Sequence, residues 1–128
     1  MNLLIDTHVL LWYLIDDSQL SVSSIRKIEN PSNNIYASIA SLWENAIKIN
    51  IGKLHLHIPF KKLQKEVLNN NFTILPIEFT HTVQLSKLEP IHRDPFDRIL
   101  ISQALVENFT IISKDTTFSA YKGLKTSW

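Results

Sequence analysis

The chain has 128 residues, 45% of them hydrophobic, with 13 Lys and Arg against 12 Asp and Glu and no Cys. That length and apolar content suit one domain, residues 1–128, with an ordinary core. A formal charge of +1 excludes a polybasic nucleic-acid binder, and the lack of Cys excludes disulfides and thiolate metal sites. From the start, Asn2 to Ile5 carries the short apolar run of a buried strand, with Asp6 at its carboxyl end. Thr7 to Leu14 reads as a short, very apolar helix. The stretch Val9 to Ile15 is too short to span a bilayer, and the first residues lack the basic region and cleavage site of a signal peptide. A soluble, cytoplasmic protein without membrane contact is therefore expected. Ser21 caps a helix to Glu29, with Ile25 and Ile28 facing inward. Asn30-Pro31-Ser32-Asn33-Asn34 is a turn, and Ile35 to Ser38 is a second strand. Ala40 to Ile49 is helical and stops near Ile51-Gly52-Lys53. Pro59, near a first helical position, opens a helix to about Leu68, which three Asn then break. Phe72 to Leu75 is a strand ended by Pro76, and Thr80 to Leu88 is a helix. Asp94 caps the helix Pro95 to Val106, Thr110 to Ser113 is a buried strand, and Thr116 to Tyr121 follows Asp115. Strands alternating with helices predict a mostly parallel sheet covered on both faces, with right-handed crossovers. The two glycines, Gly52 and Gly123, leave no Gly-rich phosphate loop.

Four acids follow related local patterns. Asp6 stands where open α/β sheets bind ligands, just past a strand, although the same position suits a helix cap. Glu44 lies in the apolar helix Leu42-Trp43-Glu44-Asn45-Ala46-Ile47 and shares a face with Ala40 and Ile47. A solvent-facing Glu more typically sits among polar neighbours; the plainer alternative is an edge-of-stripe residue. In Arg93-Asp94-Pro95-Phe96-Asp97-Arg98, Asp94 fits the cap and Pro95 the first helical position. Asp97 then falls in the first turn, where the helix dipole favours acid, and it points toward the sheet edge. Asp115 comes just past Ile111-Ile112-Ser113-Lys114, as a site residue or another cap. If these carboxylates cluster they repel, and at least one stays protonated unless a cation joins them. Hard oxygen donors suit Mg²⁺ or Mn²⁺. Such an ion activates water and stabilises charge on a phosphodiester.

The motifs carrying these acids resemble the PIN-domain ribonucleases, specifically VapC-type toxins of bacterial type II toxin–antitoxin modules. The resemblance rests on Leu4-Ile5-Asp6-Thr7-His8-Val9-Leu10-Leu11-Trp12, on Ser41-Leu42-Trp43-Glu44-Asn45-Ala46-Ile47-Lys48 with Gly52-Lys53-Leu54, on His92-Arg93-Asp94-Pro95-Phe96-Asp97-Arg98 and on Ile112-Ser113-Lys114-Asp115. It covers essentially the whole chain. It implies a three-layer α/β/α PIN-like fold with a central, mostly parallel sheet of four to five strands, and commonly a homodimer. It further implies Mg²⁺- or Mn²⁺-dependent hydrolysis of RNA to 5′-phosphate products, and inhibition by a cognate antitoxin. The family's catalytic and metal-binding acids carry over onto Asp6, Glu44, Asp97 and Asp115, with Asp94 as an extra member that a cap role suits better. Asp6 and Asp97 would hold the ion directly, Glu44 would act through water, and Asp115 would complete the shell. Ser113 stands where the family usually has Thr and keeps the hydroxyl that orients an acid or water. Thr7 would offer a hydroxyl or amide near the metal.

The remaining residues divide between surface and site. His55 and His57 alternate with Leu54, Leu56 and Ile58, as in a short extended segment with exposed imidazoles. His92, Arg93, Arg98 and Lys114 could rim the acids for RNA phosphates, against a plain solvated surface. Trp12, Tyr13 and Trp43 fit core or interface better than base stacking. Lys48, Lys53, Lys61, Lys62 and Lys65 fit a solvated face at least as well as an RNA track. The helix from Thr7, together with the one after Ser21, could offer an antitoxin groove; the competing reading is plain core burial, which suits Leu10 and Leu11 better than Trp12 and Tyr13. Two other functions compete. A haloacid-dehalogenase-like phosphatase needs a second Asp where His8 stands, and a receiver domain needs a strand-end Asp near mid-chain. A catalytically silent RNA-binding or scaffold module would keep the fold, but this chain retains all four acids.

Overall fold

In the computed structural model, which describes residues 1–128, Leu3, Leu4 and Ile5 are all fully buried. A strand needs that composition only when both faces of its sheet are covered. Five strands are present: β1 (Asn2–Ile5), β2 (Asn34–Ser38), β3 (Thr73–Leu75), β4 (Thr110–Ile112) and β5 (Lys125–Ser127). They pair in parallel throughout, in the order β3-β2-β1-β4-β5. Six helices cover them: α1 (Thr7–Leu14), α2 (Val22–Glu29), α3 (Ile39–Asn50), α4 (Leu63–Asn69), α5 (Phe79–Ser86) and α6 (Pro95–Glu107).

Alternation along β1 separates two cores. Leu3 and Ile5 join Val9, Leu10, Ile28 and Phe72 on one face. Leu4 points the other way and joins Leu100, Ile101 and Ala104 of α6. The result is the expected three-layer α/β/α arrangement. Because β1 is central, the chain leaves it toward β2 and β3, then returns to build β4 and β5 on its other side. Ile5 is level with Ala37 of β2 and Ile112 of β4. The crevice beyond those residues is the topological switch point where such sheets bind ligands.

Several elements differ from the sequence reading. β5 was not expected: Lys125-Thr126-Ser127 is a polar edge triplet with no apolar run, held by pairing beside β4. Pro59 is extended at φ −57 and ψ 139 and precedes a short 3₁₀ turn, Phe60–Lys62, so the α-helix itself begins at Leu63. Helix α5 starts at Phe79, one residue earlier than expected. There His81 Nδ1 accepts the Glu78 backbone N–H at 2.9 Å and closes the first turn. Over 54–58 the alternation of exposure holds, with His55 and His57 exposed and Leu54, Leu56 and Ile58 half-buried, but the segment forms no strand and bends at His57–Ile58.

A depression lies between α1 and α2, where a groove was expected. It is lined by Trp12, Tyr13, Leu20 and Ile25 together with Asp16, Asp17, Glu29 and Asn70, so it mixes apolar and acidic residues. A more apolar groove lies on the other side of α1. Leu11, Leu14 and Ile15 face Leu56, Ile58 and Leu63 across about 250 Å³. Leu10 is fully buried, whereas Leu11 is only half-buried and lines this groove.

Candidate active site

Asp6 is held at the switch point by both backbone and side chain. Its N–H donates to Ile112 O of β4 at 3.2 Å. Its Oδ1 accepts the Val9 N–H at 2.8 Å, which makes Asp6 the cap of α1. Cap and site are thus one residue, only 6% exposed. Burial pushes its carboxyl above the ordinary value. Hydrogen bonds from Ser113 and Val9 and the nearby His8 oppose that, while Asp115 adds to it.

Glu44 reaches the same crevice from α3. Ser38 starts that helix by accepting the Ala40 N–H at 3.0 Å, and Glu44 follows on the inward face, 8% exposed. Both carboxylate oxygens are engaged. Thr7 donates its hydroxyl to Oε1 at 3.0 Å and also stands 2.9 Å from Ser41 Oγ. Lys48, one helical turn on, pairs with Oε2 at 3.0 Å. A buried charge needs such partners, and here they fix where the carboxylate points.

Asp94 and Asp97 divide the start of α6. Asp94 is the exposed cap, its Oδ1 accepting the N–H groups of Phe96 at 2.9 Å and Asp97 at 3.2 Å. With Pro95 at N1, Asp97 turns its side chain inward, where no donor hydrogen-bonds to it. His92 Nε2 stands 3.4 Å from Asp97 Oδ2. Burial pushes Asp97 up to about 7, and Asp94, Asp6, Glu44 and Asp115 push the same way. One carboxylate therefore senses all the others.

Asp115 lies three residues beyond β4 at the more open side. Its N–H donates to Ser113 Oγ at 3.0 Å, and its Oδ1 accepts the Thr117 N–H at 2.9 Å. The Thr117 amide holds its carboxyl below the ordinary value, against some burial, with the Thr117 hydroxyl, His92 and His8 assisting. Ser113 thus touches on two acids: it receives the Asp115 amide and helps lower the Asp6 carboxyl. Asp6, Asp115, His8, Trp12 and Lys114 line a depression of about 250 Å³. His8 packs against Trp12 with ring centroids 5.6 Å apart, and Lys114 Nζ lies 6.0 Å from the Trp12 ring.

Asp6, Glu44, Asp97 and Asp115 share one electrostatic neighbourhood with Asp94 at its edge. No three His, Asp or Glu side chains converge at chelating distance, so what unites them is charge rather than a finished ligand cage. Lys48 offsets Glu44 alone. The inward Asp97 carboxylate, without a hydrogen-bond donor and opposed by four acids, fits a divalent cation in charge and in donor chemistry. Asp6, Asp97 and Asp115 are the residues with oxygen left to give; Glu44 is committed to Thr7 and Lys48 and would act through water.

Three expectations change here. Arg98 does not rim the site. Its Nη1 donates to Glu89 O at 2.8 Å and to Tyr121 Oη at 3.0 Å, and its Nη2 donates to Leu88 O at 3.3 Å. A guanidinium tied to those acceptors is not available to a phosphate. His92 also points inward, with Nδ1 2.6 Å from Tyr121 Oη. Lys48 serves Glu44 rather than an RNA track. Arg93 and Lys114 remain exposed. Sequence reading missed Ser41 and Tyr121; an i, i+4 acid–base pair was the available signal for Lys48. Nothing local marks Tyr121.

A family model described as PIN domain matches residues 3–124. No curated protein matches the chain. Among solved structures, a chain of VapBC2 from Rickettsia felis, bound to a DNA fragment from its promoter, has TM-score 0.73 at 16% identity and covers 99% of this chain and 98% of that one. A chain of DNA-bound VapBC from Salmonella typhimurium has TM-score 0.70 at 13% identity, covering 99% and 97%. A chain of VapBC-1 from nontypeable Haemophilus influenzae has TM-score 0.70 at 16% identity, again covering 99% and 97%. At these identities the likeness is one of fold.

Proposed function

This chain belongs to the PIN-domain family, and on that premise we propose that it is a divalent-metal-dependent endoribonuclease, the VapC-type toxin of a toxin–antitoxin pair. The observation that carries the reading is Asp97, whose carboxyl is pushed to about 7 by burial and by four other acids. A fold does not otherwise gather uncompensated charge at a sheet edge, because like charges destabilise one another.

Asp6, Asp97 and Asp115 would hold Mg²⁺ or Mn²⁺. When bound, that ion supplies an activated water near neutral pH and stabilises charge on the phosphodiester. Thr7 and Lys48 hold Glu44 in place to orient that water. Ser113 would steady Asp115 by accepting its amide, while the Asp6 N–H bond to Ile112 O keeps β1 and β4 level. Arg93 and Lys114, both exposed, would meet RNA phosphates. An antitoxin segment would occupy the apolar groove between α1 and α4, and a second copy would complete the toxin as a homodimer. No helix is long and apolar enough to cross a membrane.

The test is cleavage of labelled single-stranded RNA by the purified chain with and without added Mg²⁺ or Mn²⁺. Cleavage should require the ion and vanish in D6N and D97N proteins that still fold. Full activity in D6N would overturn the assignment, and tight RNA binding without cleavage would favour the silent module.

A further inference from the structure

Two buried polar groups beside Asp97 have no part in the reading above: His92 Nε2, which lacks a hydrogen-bond partner, and the hydroxyl of Tyr121, a residue 3% exposed. The Tyr121 oxygen lies 3.0 Å from Arg98 Nη1, 3.3 Å from the His92 backbone N and 2.6 Å from His92 Nδ1. Guanidinium and backbone amide can only donate. The phenol has a single proton, and with two donors aimed at its oxygen that proton is left to Nδ1. Nδ1 is therefore the acceptor, and the neutral imidazole carries its proton on Nε2. That nitrogen faces Asp97 Oδ2 at 3.4 Å.

We infer that Arg98, Tyr121 and His92 form a positioning relay that fixes His92 in its Nε2–H tautomer and directs that N–H at Asp97 Oδ2, leaving the other Asp97 oxygen for a divalent cation. The inference rests on Asp97 being a metal ligand, as proposed above. Its anchor is rigid, because Arg98 is itself held by the carbonyls of Glu89 at 2.8 Å and Leu88 at 3.3 Å. The 3.4 Å contact is longer and less aligned than a formed hydrogen bond. The terminal torsion of an Asp is soft, so rotation of the carboxylate closes it without moving backbone. Tyr121 also ends the 3₁₀ turn that Asp115 caps. One hydroxyl thereby ties the helix bearing Asp97 to the turn bearing Asp115. Partners of this kind commonly set the orientation of a metal ligand.

A purely structural role, pinning residues 88–92, would leave both tautomer and ion affinity indifferent to Tyr121. Long-range ¹H–¹⁵N correlation spectra of the full chain at about pH 8, above the ordinary imidazole range near 6.5, read the tautomer directly. His92 should show an unprotonated Nδ1 and a protonated Nε2, and Y121F should bring up the Nδ1–H form. Titration with Mn²⁺ in the absence of RNA should show affinity lowered about tenfold or more in H92A and by less in Y121F. H92Q, whose amide nitrogen reaches near the Nε2 position, should restore most of it. With RNA present, turnover should fall while KM holds. The wild-type spectrum needs no variant, so the relay is tested even if H92A does not fold. A protonated Nδ1 in the wild type overturns it, as does wild-type Mn²⁺ affinity in folded H92A. Relay spectra and Mn²⁺ binding without RNA cleavage would support the relay and overturn the nuclease reading instead.

Discussion

The two ends of the central sheet are both polar, yet they are built on opposite principles. At the amino ends of β1 and β2, side-chain amides and the Met1 ammonium find partners. The Met1 ammonium donates to Asn33 Oδ1 at 3.0 Å, Asn34 Nδ2 to Asn2 Oδ1 at 2.9 Å, and Asn33 Nδ2 to Lys27 O at 2.9 Å. The depression there, with Asn30, Asn69 and Asn71 in its walls, encloses about 600 Å³. At the carboxyl ends, the depression beside Asp6 and Asp115 holds only about 250 Å³, but the acids around it oppose one another. Void size does not mark the chemistry in this molecule. Charge left without a partner does, and only one end has it.

The sharpest way to break that contrast is to remove the charge. D97N or D6N should abolish ion-dependent RNA cleavage, a loss of about a thousandfold or more, since each takes away a group that acts in concert with the others. Cleavage assays beside circular dichroism of each variant check this. Retention of turnover within about tenfold in D97N would show that the acids are only an electrostatic curiosity of the fold.

A second effect follows from the sign of the Asp97 shift. Its folded-state value, about 7, lies above the ordinary 3.8. Between those values the unfolded chain has released a proton that the native chain keeps. Stability from this group should therefore fall as pH rises from about 4 to 7 and stay level above that. A divalent cation that binds the native state reverses the loss by mass action. Melting curves at high pH should move upward with millimolar Mg²⁺ in the wild type and little in D97N. An ion-induced shift of equal size in D97N would place the ion elsewhere.

An intermediate effect is expected at the support for Glu44. Thr7 donates from a buried hydroxyl at 3.0 Å, and T7V leaves that oxygen of Glu44 without a donor. We expect a cost of about 1–3 kcal/mol in denaturant melts, with cleavage reduced about tenfold by loss of orientation. T7S should restore both. Unchanged cleavage in T7V would mean that Lys48 alone orients the acid.

Much of this end was legible because its positions are announced locally. Leu3-Leu4-Ile5 and Ile111-Ile112 are apolar enough to be central strands, and Asp94-Pro95 is a helix start that throws Asp97 inward. The α/β alternation and the identity of the acids follow from such short-range signals. What was not legible depends on contacts between distant residues. Thr7 meets Glu44 across 37 positions, and His92 meets Tyr121 across 29. Arg98 looks like a free cation in sequence and is spent on backbone carbonyls in the fold. β5 failed for a different reason: an edge triplet of Lys, Thr and Ser carries no hydrophobic period and exists only because β4 offers it a ladder.

The smallest expected effect sits at the amino end and completes the comparison. N34A removes one exposed bond to Asn2, whose partner can turn to water. Stability should change by no more than about 0.5 kcal/mol. RNA cleavage and the Mg²⁺-induced rise in melting temperature should equal those of the wild type, because no charge is gained or lost there and the acids stand at the far end of β1 and β2. The measurement is useful because it could come out otherwise. If N34A weakened cleavage while the fold and the ion response stayed intact, the larger, amide-rich depression would be contacting the RNA, and the division of labour between the two ends would have to be redrawn.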